Sequence, residues 1–281
     1  MWRPFLLASA SAMTLAGSAL AADLTPVPPP PPVFTWTGLY LGGYGGGEVT
    51  NTSYNTVLGT PLAGISHLTP TDIAVVDAAG SQTLDKGGFT AGAELGYNWQ
   101  VGMFVLGFET DVGGVTGGTH AQSAGFIHGT DVLPPTLVFP FGISQSVSNG
   151  LFGTVRGRIG VAFDRFLIYG TGGLAYSSGH YAFNYADGLF PATGAAVANV
   201  KVGYAVGGGL EYGLTNNWSV KGEFLYSQFG RVTTSGVIVN TASPAFTNPF
   251  VTSERIQNYT ARVALNYRFN WFAPPPVVAK Y

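Results

Sequence analysis

Cysteine is absent from these 281 residues, which excludes a disulfide framework, a thiolate metal site and a cysteine nucleophile. Charge is scarce as well. Asp, Glu, Lys and Arg make up 9% of the chain, against about 25% in ordinary soluble domains. A soluble chain this poor in charge and this rich in apolar residues would self-associate. The net charge is −2, and without a basic excess no nucleic-acid partner is expected. Beyond residue 21 no segment holds the uninterrupted run of ~20 apolar residues that a membrane-spanning helix requires. Mean hydropathy is nonetheless positive, at +0.25. The apolar content is that of a membrane protein, but no helix is there to carry it.

The N-terminus combines Arg3, an apolar run from Phe5 to Leu20 and an Ala19-Leu20-Ala21 cleavage signal. That is the pattern of a secretory signal peptide. Residues 1–21 are accordingly read as a signal peptide and 22–35 as a Pro-rich periplasmic linker. Residues 36–269 are read as a β-barrel and 270–281 as a C-terminal periplasmic tail. The tracts Pro26–Pro32 and Pro274–Pro276 favour extended, semi-rigid spacers.

What the chain does have is strand-like alternation. Eight stretches stand out: Trp36–Val49, Gly88–Gln100, Phe104–Val115, Leu151–Phe163, Phe166–Ser178, Val200–Leu214, Trp218–Arg231 and Arg255–Phe269. Tight connections, Val101-Gly102-Met103, Asp164-Arg165 and Thr215-Asn216-Asn217, follow the second, fourth and sixth. Long polar connections, 50–87, 116–150, 179–199 and 232–254, follow the others. An even strand count with short turns at one rim and long loops at the other predicts an all-β fold. The expected architecture is an eight-stranded antiparallel up-and-down transmembrane β-barrel with four long extracellular loops and three short periplasmic turns. Such a chain belongs in the outer membrane, in contact with its lipid and lipopolysaccharide.

Side chains alternate faces along a strand. In the last stretch Tyr259, Ala261, Val263, Leu265, Tyr267 and Phe269 share the apolar, outward face. The same alternation turns Glu94, Glu109, Asp111, Glu211 and Glu223 inward, with Arg156, Arg158, Lys201, Lys221, Arg262 and Arg268. Charges in a narrow interior must pair or meet water. The set is therefore a salt-bridged ladder filling the lumen, or the lining of a narrow solute path. An eight-stranded interior is about wide enough for side chains to fill. The two Gly-rich stretches, the first and the fifth, resist assignment of their faces. Trp36, Trp99, Trp218 and Trp271 all fall beside a terminus or a tight turn, as an aromatic girdle at the periplasmic interface would. Tyr44, Phe89, Tyr176 and Phe229 are the candidates for the opposite girdle.

Chemistry-bearing motifs are few. His67, His120, His128 and His180 all fall in the first three long loops, where they could meet a metal or a porphyrin, but their spacing matches no ligand motif. Asp72, Asp77, Asp131 and Ser123 could serve a hydrolase only if the fold brought them to a histidine. The Gly170-Thr171-Gly172 stretch fits part of a dinucleotide fingerprint, yet no helical period follows it. No cofactor and no catalytic residue is assigned.

Trp36-Thr37-Gly38-Leu39-Tyr40-Leu41-Gly42 resembles the first strand of small outer-membrane proteins of alphaproteobacteria. Val105–Asp111, Thr154–Gly160, Gly207–Gly213 and Trp218–Tyr226 are similar to further strands of that family. This is the opacity-like, "porin family" group of surface antigens, some of whose members bind haemin. The resemblance implies an eight-stranded barrel with an envelope-structural and surface-contact role, matured by the barrel assembly machinery and able to meet a host or cell-surface ligand. The alternatives are a narrow porin for small solutes, if the inward charges line a path, and a haem- or metal-binding surface receptor using the loop histidines. Such barrels end in an aromatic residue that assembly reads. Here alternation stops at Phe269, so that signal is expected within Tyr259–Phe269.

Overall fold

The computed structural model describes residues 34–269, except 117, 129–136, 149 and 189–191, and the backbone alone at 192–193 and 198–201. The expected signal peptide, proline tracts, C-terminal tail, Asp131 and Trp271 lie outside the described residues, as does the side chain of Lys201.

Twelve strands join one sheet. Eight of them close a ring: β1 (Gly38–Leu58), β3 (Thr83–Val101), β4 (Phe104–Val115), β7 (Leu151–Phe163), β8 (Phe166–Asp187), β9 (Ala192–Gly213), β10 (Trp218–Phe229) and β12 (Phe246–Phe269). Every neighbouring pair in the ring is antiparallel, and β12 returns to pair with β1 from Leu39↔Phe269 to Leu58↔Phe250. Around the lower barrel, closure leaves these eight strands without an unpaired edge, the condition for a sheet to sit in lipid. The tight turns form where Gly102 and Asp164 take positive φ (61° and 52°), a conformation that glycine adopts freely and aspartate tolerates.

The long connections are not open loops. The strands run on past the ends expected from sequence: β1 continues to Leu58, β8 to Asp187, and β12 begins at Phe246. Three further strands extend the wall: β5 (Thr119–Ile127), β6 (Phe139–Ser148) and β11 (Val232–Asn240). β5 pairs with β6, β6 with the upper half of β8, and β11 with the first half of β12. A two-residue strand, β2 (Ile65–Ser66), adds to β12, and one helix, α1 (Pro70–Gly80), lies between β2 and β3. The junction between the lower barrel and this upper lobe is marked by interruptions at a similar height. They fall between β4 and β5, between β6 and β7, at the bulge between Ser177 and His180, and at Gly230–Arg231 between β10 and β11.

Polarity inverts across that junction. In the lower barrel the exposed outer face is apolar (Leu106, Phe108, Ile159, Leu174, Val206, Phe224, Val263) and the inner face is polar (Glu109, Arg156, Lys221, Arg262). In the upper lobe the inner face carries Phe141, Ile143, Tyr181, Phe183, Tyr185, Ile238 and Phe250 as a buried core. The outer face there carries Gln122, His180, Asn184 and Thr233. One continuous strand, β8, shows both regimes. The Gly-rich stretches that sequence left unassigned now have faces: Tyr40, Tyr44 and Glu48 point inward on β1, and Leu167, Tyr169 and Ala175 on β8.

Candidate functional site

The lumen is filled at every level described. At the short-turn end, Gly38 takes φ +143° and turns the preceding residues beneath the barrel. Trp36 is there 1% exposed, packed with Phe34, Val105, Ala162, Leu167 and Tyr169. Its indole Nε1 donates to the Asp164 carbonyl at 3.1 Å. Trp36 is thus a floor rather than an outward girdle residue, because it precedes the first strand and follows the chain inward. Arg268 also departs from expectation. It points inward but joins no ion pair among the described residues, standing 4.6 Å over the Phe34 ring and donating to the Asn216 carbonyl at 2.7 Å.

Above the floor lies a ring of charge contributed by six strands. Arg156 reaches Glu109 at 2.5 Å, Asp111 at 2.9 Å and Glu223 at 3.1 Å. Lys221 bridges Glu94 at 2.6 Å and Glu109 at 2.8 Å. Arg262 holds Glu223 at 2.6 Å and Asp111 at 2.9 Å. Arg158 pairs with Glu211 at 2.9 Å and lies 3.8 Å over the Tyr169 ring. Sequence patterning missed the tyrosines that complete this ring. Tyr40 donates to Glu109 at 2.6 Å, Tyr169 donates to Glu223 at 2.9 Å, and Arg262 stacks 4.3 Å over Tyr44. Both Tyr40 and Tyr44 belong to the Gly-rich β1, where small neighbours hide the alternation. Buried this deeply, each carboxylate depends on several donors, and the shared geometry is what offsets desolvation.

Next comes a cavity of about 30 Å³, lined in part by Glu48, Thr50, Phe152, Phe229, Ile256 and Asn258, with room for about one or two waters. The lobe core closes over it. Phe229, expected to face outward, is 2% exposed in this core and packs edge-on against Phe152 at 6.0 Å. Tyr44, likewise expected outside, is the inward ring beneath Arg262. Both sit one alternation step from the outer face, and neither is offered to solvent or lipid.

Helix α1 completes the lobe. Beyond Ser53, β3 no longer pairs with β1, so one strand's width of wall is missing between β1 and β5. The helix fills it and caps both exposed edges. Asp77 accepts from the Leu58 N–H at 2.7 Å and Ser81 Oγ accepts from Thr56 N–H at 3.2 Å. On the other side Asp72 accepts from His128 N–H at 2.8 Å, and Ser123 donates to the Ala79 carbonyl at 2.7 Å. Its start was legible: Thr69 caps it through Asp72 N–H at 3.2 Å with Pro at the first position, a standard helix-opening signal.

The model of the outer membrane protein beta-barrel domain matches residues 6–269. This chain belongs to that family. It is 34% identical over 277 residues to the 31 kDa outer-membrane immunogenic protein of Brucella melitensis, covering 94% of this chain and 98% of that protein. It is 29% identical over 205 residues to a 22 kDa outer membrane protein of Rhizobium leguminosarum bv. viciae, covering 72% of this chain and 68% of the relative. Among solved structures, the outer membrane protease OmpT of Escherichia coli superposes with a TM-score of 0.42 at 10% identity, covering 85% of this chain and 99% of that one.

As a member of this family the chain is an outer-membrane β-barrel, with the three short turns periplasmic and the lobe extracellular. Trp99 and Trp218 face outward near the periplasmic rim, Trp99 tilted against Tyr97 at 4.5 Å and Trp218 edge-on to Tyr267 at 5.1 Å. Phe89 and Tyr176 also face outward, nearer the lobe. The four histidines are not brought together. His67 is fully buried and its Nε2 lies 2.9 Å from Asp187, which also accepts from Tyr185 at 2.8 Å. His128 faces Asp72 at 3.3 Å from Nδ1, and His120 and His180 stand exposed on β5 and β8. Among the described residues no group of three or more His, Asp or Glu has the arrangement of a metal site. Asp72 and Asp77 serve as edge caps, and Ser123 bonds to the helix and to Gln82.

Proposed function

We propose that this chain is a non-conducting wall and contact protein of the outer membrane, a surface antigen whose extracellular lobe presents its interaction surface. The observation that carries the reading is the filled lumen. An indole floor, a cross-braced ring of charge and an apolar core succeed one another along the axis. A solute path would need water between the charged side chains, yet Arg156, Lys221, Glu94 and Asp111 are each 2% exposed or less and each is in an ion pair. Among the described candidates for catalysis, Asp72, Asp77 and Ser123 are engaged in holding the edges of the wall. The name of the Brucella relative, an immunogenic protein, agrees with a surface-presented lobe. Porphyrin or metal capture by the loop histidines is disfavoured by their separation, with His67 sealed beneath the wall.

The full chain refolded into planar bilayers should give no steady current. Sustained unitary conductance, unchanged when Trp36 and Arg156 are intact and folded, would overturn the reading. The contact role is tested separately, by replacing residues 50–82 and 119–148 with short turns. Cell-surface adhesion should fall while heat-modifiable migration, the mark of a folded barrel, persists.

A further inference from the structure

The outer face of β9, β10 and β12 carries an arrangement that the filled lumen does not explain. Tyr204, Tyr226 and Tyr259 form a continuous patch, with ring centroids 6.1 and 5.2 Å apart. Below it the wall is apolar, through Val206, Phe224 and Val263. Above it the phenols meet two amides. Tyr226 donates to Gln228 Oε1 at 2.7 Å, and Gln257 Nε2 donates to the Tyr226 hydroxyl at 2.9 Å. This change from aliphatic to tyrosine to amide marks the membrane–water boundary on the extracellular side.

One step higher stand two guanidiniums. Gln228 pairs with Gln257 and Val232 with Glu254, so Phe229, Gly230 and Arg231 face only Arg255 and Ile256. A bulge of this kind re-aims side chains. Phe229 and Ile256 turn into the core, while Arg231 and Arg255 are exposed on the outer side. Neither arginine has an ion-pair partner among the described residues. Glu254 is buried on the inner face, and Asp85, two strands away across β1, is held by Asn51 at 2.7 Å. Like charges on adjacent strands repel. Two forked guanidiniums over an aromatic shelf suit an anion that offers several oxygens, and phosphate above all.

We infer that Arg231 and Arg255, with Gln228 and Gln257, bind the phosphate-bearing head of an acylated lipid in the outer leaflet, its chains lying on Tyr204, Tyr226, Tyr259 and the aliphatic wall beneath. The partner has the chemistry of lipopolysaccharide's lipid anchor: phosphate and hydroxyl groups above, acyl chains below. This site stands whether or not the lumen conducts.

The test uses the full chain refolded in neutral detergent, with native mass spectrometry counting retained lipid. The probes are diphosphorylated lipid A and the same lipid stripped of phosphate. The wild-type chain should hold the phosphorylated form at least tenfold more tightly. The R231Q/R255Q variant should lose that preference, roughly tenfold or more in affinity for the loss of charge-assisted bonds. K86Q, which removes an exposed cation from β3, should keep the preference, and heat-modifiable migration should show all three chains folded. Undiminished binding by R231Q/R255Q, or equal binding of the stripped lipid by the wild type, would overturn the inference.

Discussion

Arg156 shows most plainly how single residues hold this lumen. It is fully buried and touches three carboxylates, Glu109, Asp111 and Glu223, on two other strands. Replacing it with alanine leaves those acids facing one another, and losing one partner of a buried pair costs about 3–5 kcal/mol. R156A should therefore unfold at markedly lower urea in lipid vesicles, with Glu109→Gln recovering part of the loss because it removes one negative charge from a ring left short of a cation. A midpoint unchanged from wild type would mean that water already screens the ring. These charges were legible in sequence because each sits on a strand whose other face is uniformly apolar, as with Arg262 between Ala261 and Val263. Tyr40 and Tyr44 were not legible, since glycine carries no side chain to reveal which face its neighbour takes. Trp36 misled for another reason. Its proximity to a turn was read as girdle placement, whereas the backbone bend at Gly38 carries it inside.

At the scale of elements, α1 is a helix standing where a strand would be. Its carboxylates act as stand-ins for a ladder partner, the Asp77 side chain taking the Leu58 N–H that no neighbouring strand reaches. Burial raises the Asp77 carboxyl above its ordinary value, and the bond from Leu58 opposes that rise. D77A should leave a buried donor unsatisfied, at about 1–3 kcal/mol of local stability. Hydrogen exchange should then quicken at Leu58 and Thr56 and leave β12 below Tyr259 protected. Equal protection in both chains would show the cap to be dispensable. Sequence carried the start of this helix in Thr69-Pro70-Thr71-Asp72. The surrounding Gly- and Ser-rich composition read as loop instead, and only the missing strand gives the helix its place.

For the whole molecule, the decisive property is that one set of strands is built for two solvents. The lower barrel turns its apolar face to lipid, and the upper lobe turns its apolar face to itself. A search for apolar-out alternation therefore finds the first and stops at the second, as it did at Val49 on β1 and Ser178 on β8. Paired substitutions separate the two regimes. Val263→Arg, on the lipid face, should cost about 2–4 kcal/mol toward the bilayer midplane and impair insertion. Phe183→Ala, in the lobe core, should cost about 3–5 kcal/mol, open the lobe to protease and leave the inserted barrel heat-modifiable. If both changes acted alike on insertion, the lobe would have to fold within the membrane's reach.

The seam at α1 also bears on how the exposed surface can change over generations. A residue added to a strand turns that strand's inner face outward, so nearly every wall position is bound to its register. The segment from Thr69 to Ser81 is held by caps at a few points and by the burial of Leu68 and Val76 beneath it. Its sequence, and to a degree its length, can drift without shifting a single paired strand. The outer surface thus carries a patch of wall that can vary while the barrel that bears it stays the same.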